Sequence, residues 1–161
     1  MKIVGPERYA LSFDSEKCKV TCPRGTSKFS GSATSILPKL YIIAVDATPI
    51  YVGITRQSIS ARFRLGFKAT GVNGYHGYAW RRQLTAAELY VWCHEDPPAE
   101  KADRDIETVE AEIDFLVRQA GQWPAFQTEI HFHASTQVHR DAAAHIWRAV
   151  TQTNDKSVVL D

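Results

Sequence analysis

Residues 40–64 read LYIIAVDATPIYVGITRQSISARFR and contain two strand-like runs followed by the start of a helix. The runs at 39–46 and 50–54 are rich in β-branched and apolar residues, and a short turn at 47–49 separates them, so the sequence predicts an antiparallel hairpin. Ser58 is a suitable N-cap for a helix that begins at the next residue, because its side-chain oxygen can accept an otherwise unpaired backbone N–H.

Three side chains of this stretch could carry chemistry. Tyr41 lies in the first strand, Tyr51 in the second, and Arg62 one turn inside the predicted helix. Tyrosines in a hairpin are ordinarily packing residues with a wet hydroxyl, and an arginine on a helix face ordinarily keeps the protein soluble. Each residue alone is therefore a weak functional signal, and only their combination with other residues points to a site.

The length and composition of the chain fit one ordinary folded domain. Its 161 residues can bury a core without metal or disulfide crosslinks. No run of about 18 apolar residues is present, so no membrane segment is expected, and the polar N-terminus lacks the core of a signal peptide. Three cysteines argue against a secreted disulfide framework. These features predict a cytoplasmic, intracellular protein that does not associate with a membrane.

Charge is distributed unevenly along the sequence. Residues 47–87 contain six basic side chains and no acidic one, whereas residues 88–114 contain ten acidic side chains and two basic ones. A basic half can meet a polyanion and an acidic half can hold a cation, although two solvated faces of opposite sign would give the same pattern.

The rest of the chain divides into an irregular start and a continuous folded part. Residues 1–37 are rich in Ser, Lys and Thr and are expected to form a loop or arm, while 38–161 are expected to form one domain. Within it we predict a short helix at 78–84, a strand at 88–94, a helix at 103–119, a half-buried strand at 126–133 and a helix at 136–151.

The helix at 103–119 carries a carboxylate where an apolar residue is expected. Ile106, Ile113 and Val117 belong to its apolar stripe, and Glu110 lies between them, whereas Asp114 is expected outside the stripe. Burying an ionised carboxylate costs several kcal/mol unless a cation or strong donors meet it. Glu110 is thus either a ligand for a hard cation or a residue facing a groove or pairing with an arginine.

Taken in order, these residues resemble the catalytic domain of the GIY-YIG nuclease superfamily over roughly residues 39–120. Lys39-Leu40-Tyr41 and Tyr51-Val52-Gly53 are similar to its two signature strand motifs. Arg62, in YVGITRQSISARF, matches its helix arginine, and His76, in NGYHGYAW, resembles its histidine before a short helix. Glu110, which opens a Glu-x-x-aliphatic motif, matches its metal-binding glutamate.

The resemblance implies an α+β fold, a small α/β sandwich in which a three-stranded antiparallel sheet is flanked by helices. The N-terminal arm and a C-terminal strand and helix would extend it. It also implies divalent-metal-dependent hydrolysis of DNA phosphodiester bonds, with one Mg²⁺ or Mn²⁺ held by Glu110 and the phosphate held by Arg62. Either Tyr51 or Tyr41 would orient or deprotonate the attacking water, with family precedent favouring Tyr51 and making Tyr41 its positioning partner. His76 would carry a proton or donate to the phosphate.

Three features depart from the family pattern. The first motif has Lys39 in place of glycine, and the position one turn after the arginine, often histidine, is Gly66. The asparagine often found after the glutamate helix is absent, with Gln127 a loose substitute. A catalytically weakened domain that binds nucleic acid or protein is therefore the alternative to an endonuclease.

The expected partner is DNA, duplex or structured, with a targeting protein as a possible second partner. The bases of the positive half would contact the DNA backbone, because phosphate neutralisation supplies most of the affinity that does not depend on sequence. They are Arg56, Arg64, Lys68, Arg81 and Arg82.

Overall fold

A computed structural model describes residues 1–14, 17–69, 78–95, 99–127 and 129–152. The five strands are β1 (Ile3–Phe13), β2 (Cys18–Thr21), β3 (Lys39–Val45), β4 (Thr48–Thr55) and β5 (Ala86–His94). The three α-helices are α1 (Ile59–Lys68), α2 (Ala99–Gln119) and α3 (Gln137–Thr151). Two short 3₁₀ helices, Gly31–Thr34 and Ala79–Arg82, complete the regular structure.

All five strands form one antiparallel sheet in the order β2-β1-β5-β3-β4. The predicted hairpin, β3 and β4, therefore lies at one side of the sheet with β4 as its edge strand. In its register Tyr41 stands opposite Gly53 and Ile43 stands opposite Tyr51. This pairing brings the two tyrosines onto the same face of adjacent strands.

The sheet separates two apolar cores. The first core is strongly aromatic and contains Tyr41, Phe63 and Trp80 together with the buried face of α1. The second core lies on the opposite face, where Leu40 and Ile42 of β3 pack with α2 and α3. Successive side chains of a strand point to opposite faces, so Tyr41 packs in one core and its neighbours Leu40 and Ile42 pack in the other.

The helices begin and end largely where the sequence predicts. The side chain of Ser58 accepts a hydrogen bond from the Ala61 N–H and caps α1. Thr136 caps α3 in a capping box in which the third-position side chain is His139 rather than the usual Glu or Gln. The predicted helix at 78–84 is a single 3₁₀ helix. No helix of the described part of the chain has both the length and the apolar character needed to cross a bilayer.

The mixed class of strands and helices is confirmed, but the sheet has five strands rather than the expected three. The expectation of an irregular stretch at 1–37 is wrong for β1 and β2. Only Tyr9 and Leu11 of β1 are buried, and Gly5-Pro6 interrupts its pattern. β1 is nevertheless a strand because its backbone pairs with β5, and this pairing cannot be seen in the weak alternation of its sequence.

The hairpin turn lies one residue earlier than predicted. Val45 pairs with Thr48, so the loop consists of Asp46 and Ala47, both at positive φ (49° and 59°). Pro49 belongs to β4 and not to the turn. Proline lacks an N–H, and it is accommodated here on an edge strand beside a register shift that leaves Ile50 of β4 as the extra residue.

The strand predicted at 126–133 is wrong for the residues the structure describes there. The Phe126 N–H donates to the Ile50 carbonyl at 3.1 Å, and the Gln127 side-chain oxygen accepts from the Val52 N–H at 3.1 Å. A side chain thus takes the place of the next backbone partner, so no strand ladder forms. Phe132, expected to face inward, is 77% exposed.

Candidate functional site

Tyr41 is the most deeply buried residue of the candidate site. It lies in the middle of β3 with no exposed surface. Its hydroxyl oxygen accepts from the Arg62 Nε–H at 3.5 Å and lies 2.6 Å from the hydroxyl of Tyr78. Burial raises the pKa of Tyr41 well above its ordinary value, and Arg62 lowers it only in part. Tyr41 therefore remains a neutral phenol.

A glycine lets the two signature tyrosines meet. The ring centroids of Tyr41 and Tyr51 are 5.9 Å apart. A Cβ added to Gly53 would stand 2.6 Å from both Cζ and Oη of Tyr41, and 2.7 Å from Cε1 of Tyr51. Such distances are too short for any real contact. The two phenol rings therefore occupy the space that a side chain at position 53 would need.

Arg62 reaches the phenols from α1. The Arg62 N–H donates to the carbonyl of Ser58, the residue that caps the helix, so the cap fixes the turn that carries this arginine. Its half-buried guanidinium donates to Tyr41 and lies over the ring of Tyr78, 5.7 Å from the centroid. Aromatic faces and a hydroxyl oxygen together orient the cation.

Glu110 is buried on α2, as its place in the apolar stripe predicts, and is 4% exposed. Burial, together with the nearby carboxylates of Asp114, Glu107 and Glu129, raises the pKa of Glu110 to about 8. A hydrogen bond with the Gln127 side chain acts in the opposite direction. Gln127 therefore lies beside the Glu110 carboxyl.

Tyr51 connects the phenols to the carboxylate. It is half-buried on the edge strand β4. Burial raises its pKa strongly, with Tyr41 and the charge of Glu110 acting in the same direction, and Arg62 only partly offsets this. The structure therefore brings Tyr41, Tyr51, Arg62 and Glu110 into one electrostatically coupled cluster.

The remaining predicted residues divide into three groups. His76 lies outside the described residues. Arg56 pairs with Asp103, and Arg81 donates to the Phe67 carbonyl while covering the Phe67 ring at 4.7 Å. The other three predicted DNA contacts are exposed at the protein surface. They are Arg64, Lys68 and Arg82.

Two residues of the site were missed or misplaced by the sequence analysis. Tyr78 contacts Tyr41 and Arg62; it lies in the NGYHGYAW stretch, where the sequence analysis singled out only His76. Asp114 was expected outside the apolar stripe and is 2% exposed. It lies one turn beyond Glu110 on the same side of α2, and the chain after the helix folds back and docks on β4. The spacing of four residues was the available signal for Asp114.

Glu110 is a ligand of the type that a hard cation would need. Carboxylate oxygens of Glu110 and its neighbours are the ligands that Mg²⁺ and Mn²⁺ prefer. Both oxygens of Asp114 are buried without a hydrogen-bond partner in the described structure. No group of three or more His, Cys, Asp or Glu side chains is arranged to hold a metal among these residues, so Glu110 would be the main protein ligand.

The chain matches no family model, no curated protein and no solved structure.

Proposed function

We propose that this chain is a divalent-metal-dependent endonuclease that hydrolyses DNA phosphodiester bonds. The observation that carries the proposal is the convergence of Tyr41, Tyr51 and the Arg62 guanidinium, with the buried Glu110 near enough to act on the Tyr51 phenol. Phosphodiester cleavage needs an oriented water, a cationic group on the phosphate and stabilisation of the departing oxygen. Residues of these types meet in this cluster.

Burial separates the roles of the two tyrosines. Tyr41 has no exposed surface, so it cannot touch a substrate, whereas Tyr51 is half-buried and can. Tyr51 would orient the attacking water through its hydroxyl, and Tyr41 would hold Tyr51 and Arg62 in place. The planar fork of Arg62, anchored through Nε, would grip an oxygen of the scissile phosphate.

Glu110 would hold one Mg²⁺ or Mn²⁺ ion, which when bound supplies charge stabilisation and a more acidic water. The carboxyl of Glu110 must lose its proton to serve as this ligand. The Gln127 side chain, which also accepts from the Val52 N–H on β4, would fix the orientation of the carboxylate.

The decisive test compares two glutamates of one helix. Purified wild-type protein is incubated with supercoiled plasmid and Mg²⁺ or Mn²⁺, beside Glu110→Gln and the control Glu112→Gln, whose half-buried carboxyl is two residues away. We expect nicking by wild type and by the control, and a loss of at least 100-fold in Glu110→Gln. Equal rates for both variants would refute the site assignment.

A second candidate is a weakened domain of this type that binds nucleic acid or a protein partner without cutting it. Two observations favour it: burial keeps the pKa of Tyr51 strongly raised, and Gly66 has no side chain at the position where GIY-YIG nucleases often carry histidine. A panel of duplex, single-stranded, flapped and branched DNAs distinguishes the candidates. Binding to any of them without cleavage under any divalent metal would support the second.

A further inference from the structure

Tyr78 occupies the space that Gly66 leaves open on α1. A Cβ added to Gly66 would lie 2.3 Å from Cε2 and 2.4 Å from Cδ2 of the Tyr78 ring. The Tyr78 N–H also donates to the Gly66 carbonyl at 3.3 Å. Tyr78 is 5% exposed. The glycine in the helix and the ring that covers it thus form one fitted unit beside the candidate site.

From this position Tyr78 contacts three members of the cluster. Its hydroxyl lies 2.6 Å from that of Tyr41, its ring lies under the Arg62 guanidinium, and its ring centroid is 5.5 Å from that of Tyr51. The contact with Tyr51 is edge-on, with 76° between the ring planes.

The hydrogen bond between the two phenols gives Tyr78 a specific part. Its hydroxyl oxygen lies 2.6 Å from that of Tyr41, so one O–H donates to the other. The Tyr41 oxygen also accepts from the Arg62 Nε–H. A phenol has one proton and a limited number of acceptor positions, so the hydrogen bond to Tyr78 restricts the rotation of the Tyr41 hydroxyl that faces Arg62.

We propose that Tyr78 is a positioning residue of the nuclease site, holding the Tyr41 hydroxyl through a hydrogen bond and supporting the Arg62 guanidinium with its ring. The proposal rests on the proposed endonuclease function for its kinetic consequence, but the structural coupling of Tyr78 to Tyr41 and Arg62 can be measured without activity. A residue acting this way affects the chemical step and leaves DNA binding unchanged.

The kinetic test removes one oxygen atom. Tyr78→Phe keeps the ring over Gly66 and should lower kcat on the plasmid by about tenfold with unchanged KM. Tyr90→Phe is the matched control, because Tyr90 is also fully buried but lies in the core on the opposite face of the sheet. Tyr90→Phe should leave kcat unchanged. Wild-type kcat in Tyr78→Phe would overturn the proposal.

A double-mutant cycle shows whether Tyr78 acts through Tyr41 or by general destabilisation. In the Tyr41→Phe background, Tyr78→Phe should cause no further loss of kcat, because the hydroxyl that it positions is already gone. A double variant whose losses multiply would overturn the proposal, since independent effects on kcat multiply.

An NMR measurement tests the coupling without cleavage. The Arg62 Nε–H resonance should exchange with solvent faster in Tyr78→Phe than in wild type or Tyr90→Phe, because the Tyr41 acceptor is no longer fixed. An unchanged exchange rate would refute the positioning role. If wild type cleaves no DNA with Mg²⁺ or Mn²⁺, the proposed function fails, while this result still decides the role of Tyr78.

Discussion

Asp114 carries a carboxyl group in an unfavourable place. Its two oxygens are buried and have no hydrogen-bond partner in the described structure. Burial raises its pKa to about 7, and Arg118 one turn further on opposes this only in part. A buried, unpaired carboxylate lowers the free energy of unfolding. A cation site can require such a carboxylate, because the carboxylate is then available as a ligand.

Asp114→Asn should stabilise the metal-free protein at alkaline pH. The carboxyl binds its proton more tightly in the folded than in the unfolded state, so its favourable contribution is complete below pH 3.8 and is lost as the pH rises through about 7. Asparagine cannot ionise, and we expect a gain on the order of 1 to 3 kcal/mol above pH 8. Urea unfolding at pH 5 and pH 8.5 measures it.

The control for this prediction is Asp141→Asn, which changes an exposed carboxyl on α3. Its stability difference from wild type should not vary between the two pH values. A gain in Asp114→Asn that is equal at pH 5 and pH 8.5 would contradict the assignment to ionisation.

Asp105 shows the opposite behaviour. Its carboxylate accepts from Nε2 of His94 and from Nε2 of His139, both at 3.1 Å, and so joins β5, α2 and α3. Burial alone would raise its pKa, but the hydrogen bonds from His139 and His94 outweigh burial and lower it. The Thr136 N–H donates to Nδ1 of His139, which places the ring proton on the nitrogen facing Asp105.

Asp105→Asn should destabilise the fold by about 2 to 3 kcal/mol near neutral pH, since hydrogen bonds to a charged group are lost. The lowered pKa means that this stability is present above pH 3.8 and is lost as the pH falls through the lower value of the folded state. Thermal unfolding from pH 2 to pH 6 should give converging curves for wild type and variant at the acid end. Parallel curves would contradict this.

At the scale of elements, sequence periodicity predicted the helices that pack one face against the sheet and the strands in the interior of the sheet. The hairpin, β5 and the three helices carry patterns of period two or 3.6 or clear caps. β1 and β2 do not, because β1 contains Gly5-Pro6 and charged residues and depends on its neighbours. In the other direction, the alternation at 126–133 satisfied the strand pattern although the Gln127 side chain replaces a backbone partner.

The hairpin turn offers a stability test of its own. Ala47 adopts a φ of 59°, which is unfavourable for a residue with a Cβ. Ala47→Gly should therefore stabilise the protein by about 1 kcal/mol. Ala144→Gly, the same substitution within α3, should destabilise by about 1 kcal/mol. Chemical denaturation of both variants measures the pair, and the same sign for both would contradict the role of the turn.

At the scale of the whole molecule, the site forms where two layers approach the edge strand. α1 brings Arg62 on one face of the sheet, α2 lies on the other, and Tyr51 on β4 is coupled to both. The sequence predicted the members of this cluster from the order of the motifs that resemble GIY-YIG nucleases and from the position of Glu110 in an apolar stripe. It could not predict Tyr78 or the burial of Asp114, because both depend on how distant segments close over the site.

The charge distribution predicts how the whole molecule would meet DNA. Arg64 and Lys68 are exposed on α1, on the Arg62 side of the sheet. Arg64→Ala or Lys68→Ala should each weaken binding uniformly across sequences and reduce the slope of log K against log salt by about 1. Lys101→Ala, an exposed change in the acidic half, is the control and should leave the slope unchanged. Fluorescence anisotropy at several salt concentrations measures this.

The docking of Phe126 and Gln127 on β4 has a consequence for self-association. An edge strand with unpaired backbone groups invites another chain to add a strand, which leads to aggregation. Here the carbonyl of Ile50 and the N–H of Val52 are both occupied from within the chain. Replacing Gln127, which also hydrogen-bonds Glu110, would expose the Val52 N–H on the edge strand and is therefore expected to lower solubility as well as to disturb the candidate site.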